Sequence, residues 1–370
     1  MQLRGRKQAV TAGGAVIAMA LLAACSSSSS TSSTTGTSPT TGSGSSSSSS
    51  AAAASGTINA SGSTFQTNFQ QAAIAAFKAS NPGITVNYGG GGSGKGRTDL
   101  AAGTVLFAGS DTAPIPAAET ANFKGKQVLY FPVQVGPIAI AYNLSGVSDL
   151  KLDGPTLAGI FQGTIKTWDD PAIKALNSGA SLPGSPITLA VRSDSSGTTQ
   201  NFTKFLTKAA PSWTLGSGST VKFPSSAHAA SGGSGVAQVV KSTSGAIGYV
   251  DDSTAKASGL SAASIKNKDG DFVAPSPESA TAAAQAITPA ADLTFSAAWQ
   301  PGATAYPITY QSWDLVYAQQ ANANDAALLK AYLGFLLGQQ GQGLLKEIYL
   351  APLPASIDQA AVAQLDKITS

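Results

Sequence analysis

From Thr57 onward, apolar and polar positions follow two periods. Thr57-Ile58-Asn59-Ala60 and Ile84-Thr85-Val86-Asn87-Tyr88 alternate as strands do, while Phe69, Ala73, Ala76 and Phe77 recur at helical spacing. Asn81-Pro82-Gly83 stops that helix. The same reading predicts strands over 128–133, 138–142, 187–191 and 246–250. It predicts helices near 98–102 and over 156–162, 198–209, 236–241 and 326–337. A last helix is expected to start at Ser356, where Ser356-Ile357-Asp358-Gln359 fits a capping box. Strands separated by helices predict an α/β protein with mostly parallel sheets. Residues 251–305 are rich in Ala, Ser and Pro and too weakly patterned to assign.

The first 56 residues follow a different logic. Arg4, Arg6 and Lys7 precede a mildly apolar stretch over 9–24, and no further charge occurs before Lys78. The stretch falls short of the roughly 20 apolar residues of a spanning helix, but charged start, apolar middle and small-residue end describe a secretory signal. Leu22-Ala23-Ala24-Cys25 resembles a bacterial lipobox, in which the cysteine is lipidated and becomes the first mature residue. Residues 1–24 are therefore expected to be a lipoprotein signal peptide, and Cys25 an anchor on the outer face of the cell membrane. Residues 26–56 are almost pure Ser, Thr, Gly and Ala and read as a flexible tether. Fully extended, such a tether reaches on the order of 100 Å. The remaining body, 57–370, is long enough for two domains.

Composition narrows the chemistry. Only 11% of the 370 residues are charged, against about 25% in ordinary globular proteins. Lys and Arg number 22 and Asp and Glu 19, an excess matched by the three cations of the leader, so the mature chain is neutral and no nucleic-acid partner is expected. One Cys and one His exclude a disulfide framework and Cys- or His-based metal clusters; neither metal nor cofactor is expected. His228 is the single candidate for the usual general base and reads as an exposed loop residue. Trp168, Trp213, Trp299 and Trp313 read as packing residues.

Three turns are suited to an oxyanion: Ser61-Gly62-Ser63-Thr64-Phe65, Gly89-Gly90-Gly91-Gly92-Ser93-Gly94, and Arg192-Ser193-Asp194-Ser195-Ser196-Gly197-Thr198-Thr199. In each, glycine permits close backbone approach, N–H groups at a helix start point outward, and hydroxyls add donors. The glycine run also matches two nucleotide motifs in part. Gly89, Gly91 and Gly94 fit a dinucleotide fingerprint, with Asp111 at a suitable distance, and Gly89 to Lys95 nearly fits a P-loop, but Gly96 stands where Ser or Thr must hold magnesium. Both need an intracellular ligand, which an exported chain does not meet. What survives is a glycine nest for phosphate-like charge.

Ile58-Asn59-Ala60-Ser61-Gly62-Ser63-Thr64-Phe65, then Val86-Asn87-Tyr88 with the glycine run, resemble the start of the phosphate-binding proteins of bacterial Pst ABC transporters. The resemblance continues in order through Gly109-Ser110-Asp111, Leu157-Ala158-Gly159-Ile160-Phe161, Ile165-Lys166-Thr167-Trp168-Asp169, the arginine turn, Gly245-Ala246-Ile247-Gly248-Tyr249 and Tyr306-Pro307-Ile308-Thr309. It covers about residues 57–355. It implies a type II periplasmic-binding-protein fold, with lobe 1 formed by 57–134 and 306–370, lobe 2 by 135–305, and the ligand in the cleft between them. It further implies a monomer that hands inorganic phosphate to the permease subunits of an ABC importer.

Carried over by position, the resemblance assigns phosphate contacts to Thr64, Phe65, Ser93, Asp111, Arg192, Ser196, Gly197 and Thr198. Thr64 and Phe65 give backbone N–H groups, the Thr64 and Ser93 hydroxyls add donors, and Arg192 gives a charge-assisted contact. Asp194 orients Arg192. Asp111 faces an anion, which is repulsive unless the anion carries a proton; phosphate does at neutral pH and sulfate does not, so Asp111 is expected to reject sulfate. Two departures stand out. Leu106 occupies a position that is commonly acidic in the family, and 223–235 replaces the family's Gly-Gly-Lys-Gly segment, which leaves that loop's shape open. The competing readings are a binder of sulfate or molybdate, or a secreted Ser-dependent phosphoryl- or acyl-transfer enzyme. For the enzyme the sequence offers no metal-ligand cluster, no Gly-x-Ser-x-Gly elbow and no convincing His partner.

Overall fold

The computed structural model describes residues 54–370. The expected signal peptide, Cys25 and all but the last three residues of the tether lie outside the described residues.

The first strand, β1 (Gly56–Gly62), starts one residue before the expected position; its burial alternates from Thr57 to Ala60, and Ser61 and Gly62 at its end are buried as well. A 3-10 turn, Thr64–Gln66, leads into α1 (Thr67–Ser80), which buries Phe69, Ala73 and Phe77 along one face. There follow β2 (Ile84–Gly89), α2 (Ser93–Ala102) and β3 (Phe107–Ser110). The helix expected near 98–102 thus begins five residues earlier, inside the glycine run, and ends on Gly103 in the left-handed conformation. Strands expected over 128–133 and 138–142 form one 15-residue strand, β4 (Val128–Tyr142). Its continuity has a physical cause: it pairs antiparallel with one neighbour up to Pro137 and with another from Ile138.

The chain continues through β5 (Lys151–Leu152), α3 (Gly154–Gln162), α4 (Pro171–Leu176), β6 (Thr188–Arg192) and α5 (Gly197–Ala209). Next come β7 (His228–Ala230), α6 (Gly232–Ser242) and β8 (Ala246–Asp251). The unpatterned stretch holds α7 (Asp252–Ala257), the short strands β9 (Ser261–Ala262), β10 (Ser264–Lys266) and β11 (Phe272–Val273), and α8 (Pro277–Gln285). The C-terminal part is β12 (Thr309–Tyr317), α9 (Ala323–Leu337), α10 (Gln339–Leu344) and α11 (Ala355–Gln364). The capping box expected at Ser356 does not form. Pro354 is the cap residue of α11 and Ser356 lies within its first turn, because the Pro354 carbonyl already accepts from Ile357 and Asp358.

The main sheet has the order β2-β1-β3-β12-β4-β8-β6-β7, with β9 added alongside β4; β11-β10-β5 form a small second sheet. β1 is parallel to β2 and β3, and β6 is parallel to β7 and β8, whereas β12 and β4 run antiparallel to their neighbours. Two parallel α/β halves therefore share a central antiparallel pair. The C-terminal ends of the parallel strands β1, β2, β3 and β6 open into the turns that the sequence marks, as expected for ligand sites in open α/β sheets.

One large apolar cluster runs through both halves, with two smaller clusters beside it. Phe161, Phe202 and Tyr249 cluster on the β6–β8 side, and Phe65 stacks on Tyr310 at 4.0 Å between ring centroids. Trp168 and Trp313 are fully buried and Trp213 nearly so, while Trp299 is half-buried against Phe205. His228 is exposed, as expected, but it sits on β7 at the sheet edge rather than in a loop.

Candidate anion-binding site

The turn after β1 approaches β3 closely: the Ser63 N–H donates to the Gly109 carbonyl at 2.8 Å. The Ser63 hydroxyl accepts the Phe65 N–H at 3.1 Å and donates to Asp111 Oδ1 at 2.5 Å. The Phe65 amide, expected to face a ligand, is thus engaged by Ser63. The Thr64 Oγ1 is buried without a hydrogen-bond partner among the described residues. A buried orphan donor of this kind marks a place where a polar ligand fits.

The second turn brings in Ser93, the fully buried first residue of α2. Its hydroxyl accepts the Asp111 N–H at 3.0 Å and lies 3.3 Å from Asp111 Oδ2. The glycine run is not a nest of free amides. The Gly92 N–H donates to the Gly62 carbonyl at 2.9 Å and the Gly94 N–H to the Ser195 carbonyl at 3.0 Å. Gly92 is required for close approach, since it has φ +92° and a side chain there would collide with Asp194 and Ser195.

The third turn follows β6. Arg192 is 8% exposed and is gripped by Asp194: its Nε donates to Oδ1 at 2.7 Å and its Nη2 to Oδ2. The remaining nitrogen, Nη1, lies 3.4 Å from Thr198 Oγ1. Ser196 caps α5 by accepting the Thr199 N–H at 3.1 Å, which leaves its own proton available. Gly197 packs directly against Ser93 and Asp111, where a Cβ would overlap both side chains. The structure therefore gathers Thr64, Ser93, Asp111, Arg192, Ser196, Gly197 and Thr198 around one location.

Several groups there carry no local sequence signal. The Asn201 amide donates to the Asp111 carbonyl at 2.8 Å and to Gly197 at 3.0 Å, bridging α5 and β3. Ser312, on β12, donates to Asp111 Oδ1 at 2.6 Å. The Gly232 N–H, at the start of α6, donates to Asp194 Oδ1 at 3.0 Å, and Gly233 faces Thr64. The segment 223–235 thereby acquires a shape: an edge strand and then an uncapped helix start beside the site. Leu106 is half-buried and its N–H donates to the Asn59 carbonyl.

The two charged groups are tuned by burial. Burial pushes the Asp111 carboxyl up to about 6, opposed by hydrogen bonds from Ser312 and Ser63, the Arg192 charge and Ser93. Burial also opposes the Arg192 charge, but the Asp194 carboxylate prevails and raises its pKa further. Asp194, despite its own partial burial, is held below the ordinary carboxylate range by Arg192 and the Gly232 amide. The site therefore offers a fixed cation, hydroxyl donors and one acceptor carboxylate. Among the described residues no group of three His, Cys, Asp or Glu is placed to hold a metal.

A profile described as a PBP superfamily domain matches residues 30–340. The phosphate-binding protein PstS 3 of Mycobacterium leprae is 39% identical over 313 residues, 81% of this chain and 84% of that protein. The chain belongs to the PstS family of phosphate-binding proteins. Within that family, PstS 2 of Mycobacterium tuberculosis is 36% identical, with 84% of this chain and 87% of the relative covered. A solved periplasmic phosphate-binding protein, PfluDING with bound phosphate, superposes with a TM-score of 0.70 at 23% identity, covering 84% of this chain and 94% of that one. That likeness establishes the α/β periplasmic-binding-protein fold.

Proposed function

We propose that this chain is the extracytoplasmic phosphate-binding component of a Pst-type ABC importer, anchored through lipid on Cys25. The observation that carries the reading is the burial of a cation, Arg192, and an acceptor carboxylate, Asp111, at one donor-lined location. A cation alone favours any oxyanion. Adding a carboxylate favours an oxyanion that still holds a proton, because only that proton relieves the repulsion. At neutral pH phosphate meets this condition and sulfate does not. Thr64, Ser93, Ser196, Gly197 and Thr198 complete the proposed contacts, with Asp194 orienting Arg192; the Phe65 N–H joins them only by leaving the Ser63 hydroxyl.

Capture works by closure of two lobes, 57–134 with 306–370 against 135–305. The bonds from Asn201 to Asp111 and from Gly94 to Ser195, and that from Thr112 Oγ1 to Gln200 Oε1 at 2.8 Å, run between the two and belong to the closed form. Phosphate drives closure by binding the closed arrangement better than the open one. The closed protein is the form presented to the permease.

The family is one of binding proteins, not enzymes. Isothermal titration of ligand-stripped protein is expected to give one reversible phosphate site and much weaker sulfate binding at pH 7, without turnover of phosphate esters. Absence of a phosphate heat, or equal affinity for sulfate, would remove the reading. For the anchor, Cys25→Ser is expected to move the protein from the membrane fraction to the soluble fraction of cells that express it.

A further inference from the structure

The Asp111 carboxylate can discriminate between anions only if it remains an acceptor, and the hydrogen bonds behind it decide that. Oδ1 receives two hydroxyls, Ser63 at 2.5 Å and Ser312 at 2.6 Å. The direction of each is fixed by a third group. The Ser63 oxygen accepts the Phe65 N–H, so its one proton goes to Asp111. The Ser312 oxygen accepts the Gln66 side-chain amide at 2.8 Å. That amide also donates to the Trp313 carbonyl at 3.0 Å, and a carbonyl can only accept, so the amide orientation has no alternative. Gln70 donates to the Gln66 oxygen at 3.1 Å and secures it from behind. The Ser312 proton therefore also goes to Asp111.

With Oδ1 saturated, Oδ2 retains, among the described residues, only the long contact from Ser93 and is the oxygen left for a ligand proton. We propose that Ser312, held by Gln66, is a positioning residue for anion selectivity: it saturates Oδ1 and so keeps the Asp111 carboxylate an acceptor toward the ligand. The inference rests on the phosphate-binding reading above. It follows from topology: β12 pairs antiparallel with β3 through Trp313 and Ser110, so Ser312 falls opposite Asp111, just past the end of β3. A register shift against β4 between Ser312 and Trp313 marks the same spot, and such irregularities commonly re-aim a side chain next to a functional site.

The titratable groups that face Asp111 are Arg192 at the end of β6, Tyr88 on β2 and Tyr310 on β12. Burial raises both tyrosines well above their ordinary range, and Arg192 stays charged, so of these only Asp111 changes charge between pH 5 and 8. Asp314 lies farther along the chain through Gln66 and Gln70, and burial pushes it up to about 8.

The test is competition of phosphate and sulfate for the full-length protein from pH 5 to 8. The wild type should favour phosphate strongly at pH 7 and lose that preference toward lower pH, as Asp111 takes up a proton and becomes a donor to sulfate. Ser312→Ala should move the midpoint of this loss upward by roughly one pH unit and raise relative sulfate affinity at pH 7 by roughly tenfold. Ser312→Thr, which keeps the hydroxyl, should stay near wild type. Ser312→Cys, of similar volume but a weak donor, should follow the Ala variant and serves in its place if Ala does not fold. A midpoint unmoved in Ala or Cys, or moved equally by Thr, overturns the role of Ser312 while leaving phosphate binding intact. A wild-type protein that binds neither anion overturns both readings.

Discussion

On the β3 side of the site the charged group is Asp111, wrapped by hydroxyl donors from Ser63, Ser93 and Ser312; on the β6 side it is Arg192, wrapped by the Asp194 carboxylate. Both are buried, yet they are stabilised differently. Arg192 has a full counter-charge, so it remains a cation at any working pH. Asp111 has mainly neutral donors and a more distant cation, so burial still lifts it to about 6. The contrast assigns the work. On the proposed function, a paired cation supplies attraction that is indifferent to the kind of oxyanion, while a carboxylate poised near neutrality distinguishes anions by whether they carry a proton.

The sharpest way to break this division is Arg192→Ala. It removes the cation and leaves Asp194 unpaired, and losing one partner of a buried charge pair costs about 2–5 kcal/mol. Phosphate and sulfate affinity should both fall, by roughly 30-fold to several thousand-fold, as read by calorimetry; a selective loss of phosphate alone would merge the two roles. Gly197→Ala tests whether the two sides must touch. The new methyl overlaps Ser93 and Asp111, and overpacking of about 1–3 kcal/mol should weaken phosphate by roughly 5- to 150-fold. On the proposed closure the collision arises only with ligand bound, so the melting temperature of the ligand-free protein should change little. Asp111→Asn sharpens the selective side: phosphate is weakened moderately, whereas sulfate gains at least about tenfold as the repulsion disappears. Unchanged selectivity in competition calorimetry would take discrimination away from this residue.

The smallest effect is on stability against pH. Burial raises Asp252 to about 7 and Asp314 to about 8. Each is raised above its unfolded value, so the folded protein holds more protons than the unfolded chain from about pH 4 to 8. The associated stability is complete below the unfolded pKa and is lost as pH rises through these values. The ligand-free protein should therefore melt at a higher temperature at pH 5 than at pH 8, and the reverse trend would contradict the burial of these acids.

The fold was legible where side-chain period carried it. β1, β2 and α1 declare themselves through alternation and through Phe69, Ala73 and Phe77. The helix starts at Ser93 and Gly232 did not, because glycine and serine are poor helix formers and their first turns are held by contacts outside the helix. β4 read as two strands because nothing in 134–137 shows that its partner changes there. The cap expected at Ser356 failed for a related reason: the motif is local, but Pro354 had already set the helix start.

Within the site, the chain order alone names the turns that end strands and begin helices, since glycine, hydroxyl residues and a lone arginine in such turns have local physical consequences. It also bounds the chemistry through a single His and a single Cys. The partners of the charges are another matter. Ser312, Gln66, Asn201 and Gly232 lie in four separate segments, and whether any of them meets Asp111 or Asp194 depends on strand register and helix packing. A hydrogen bond needs two groups within about 3 Å, and only the folded chain brings positions 111 and 312 that close.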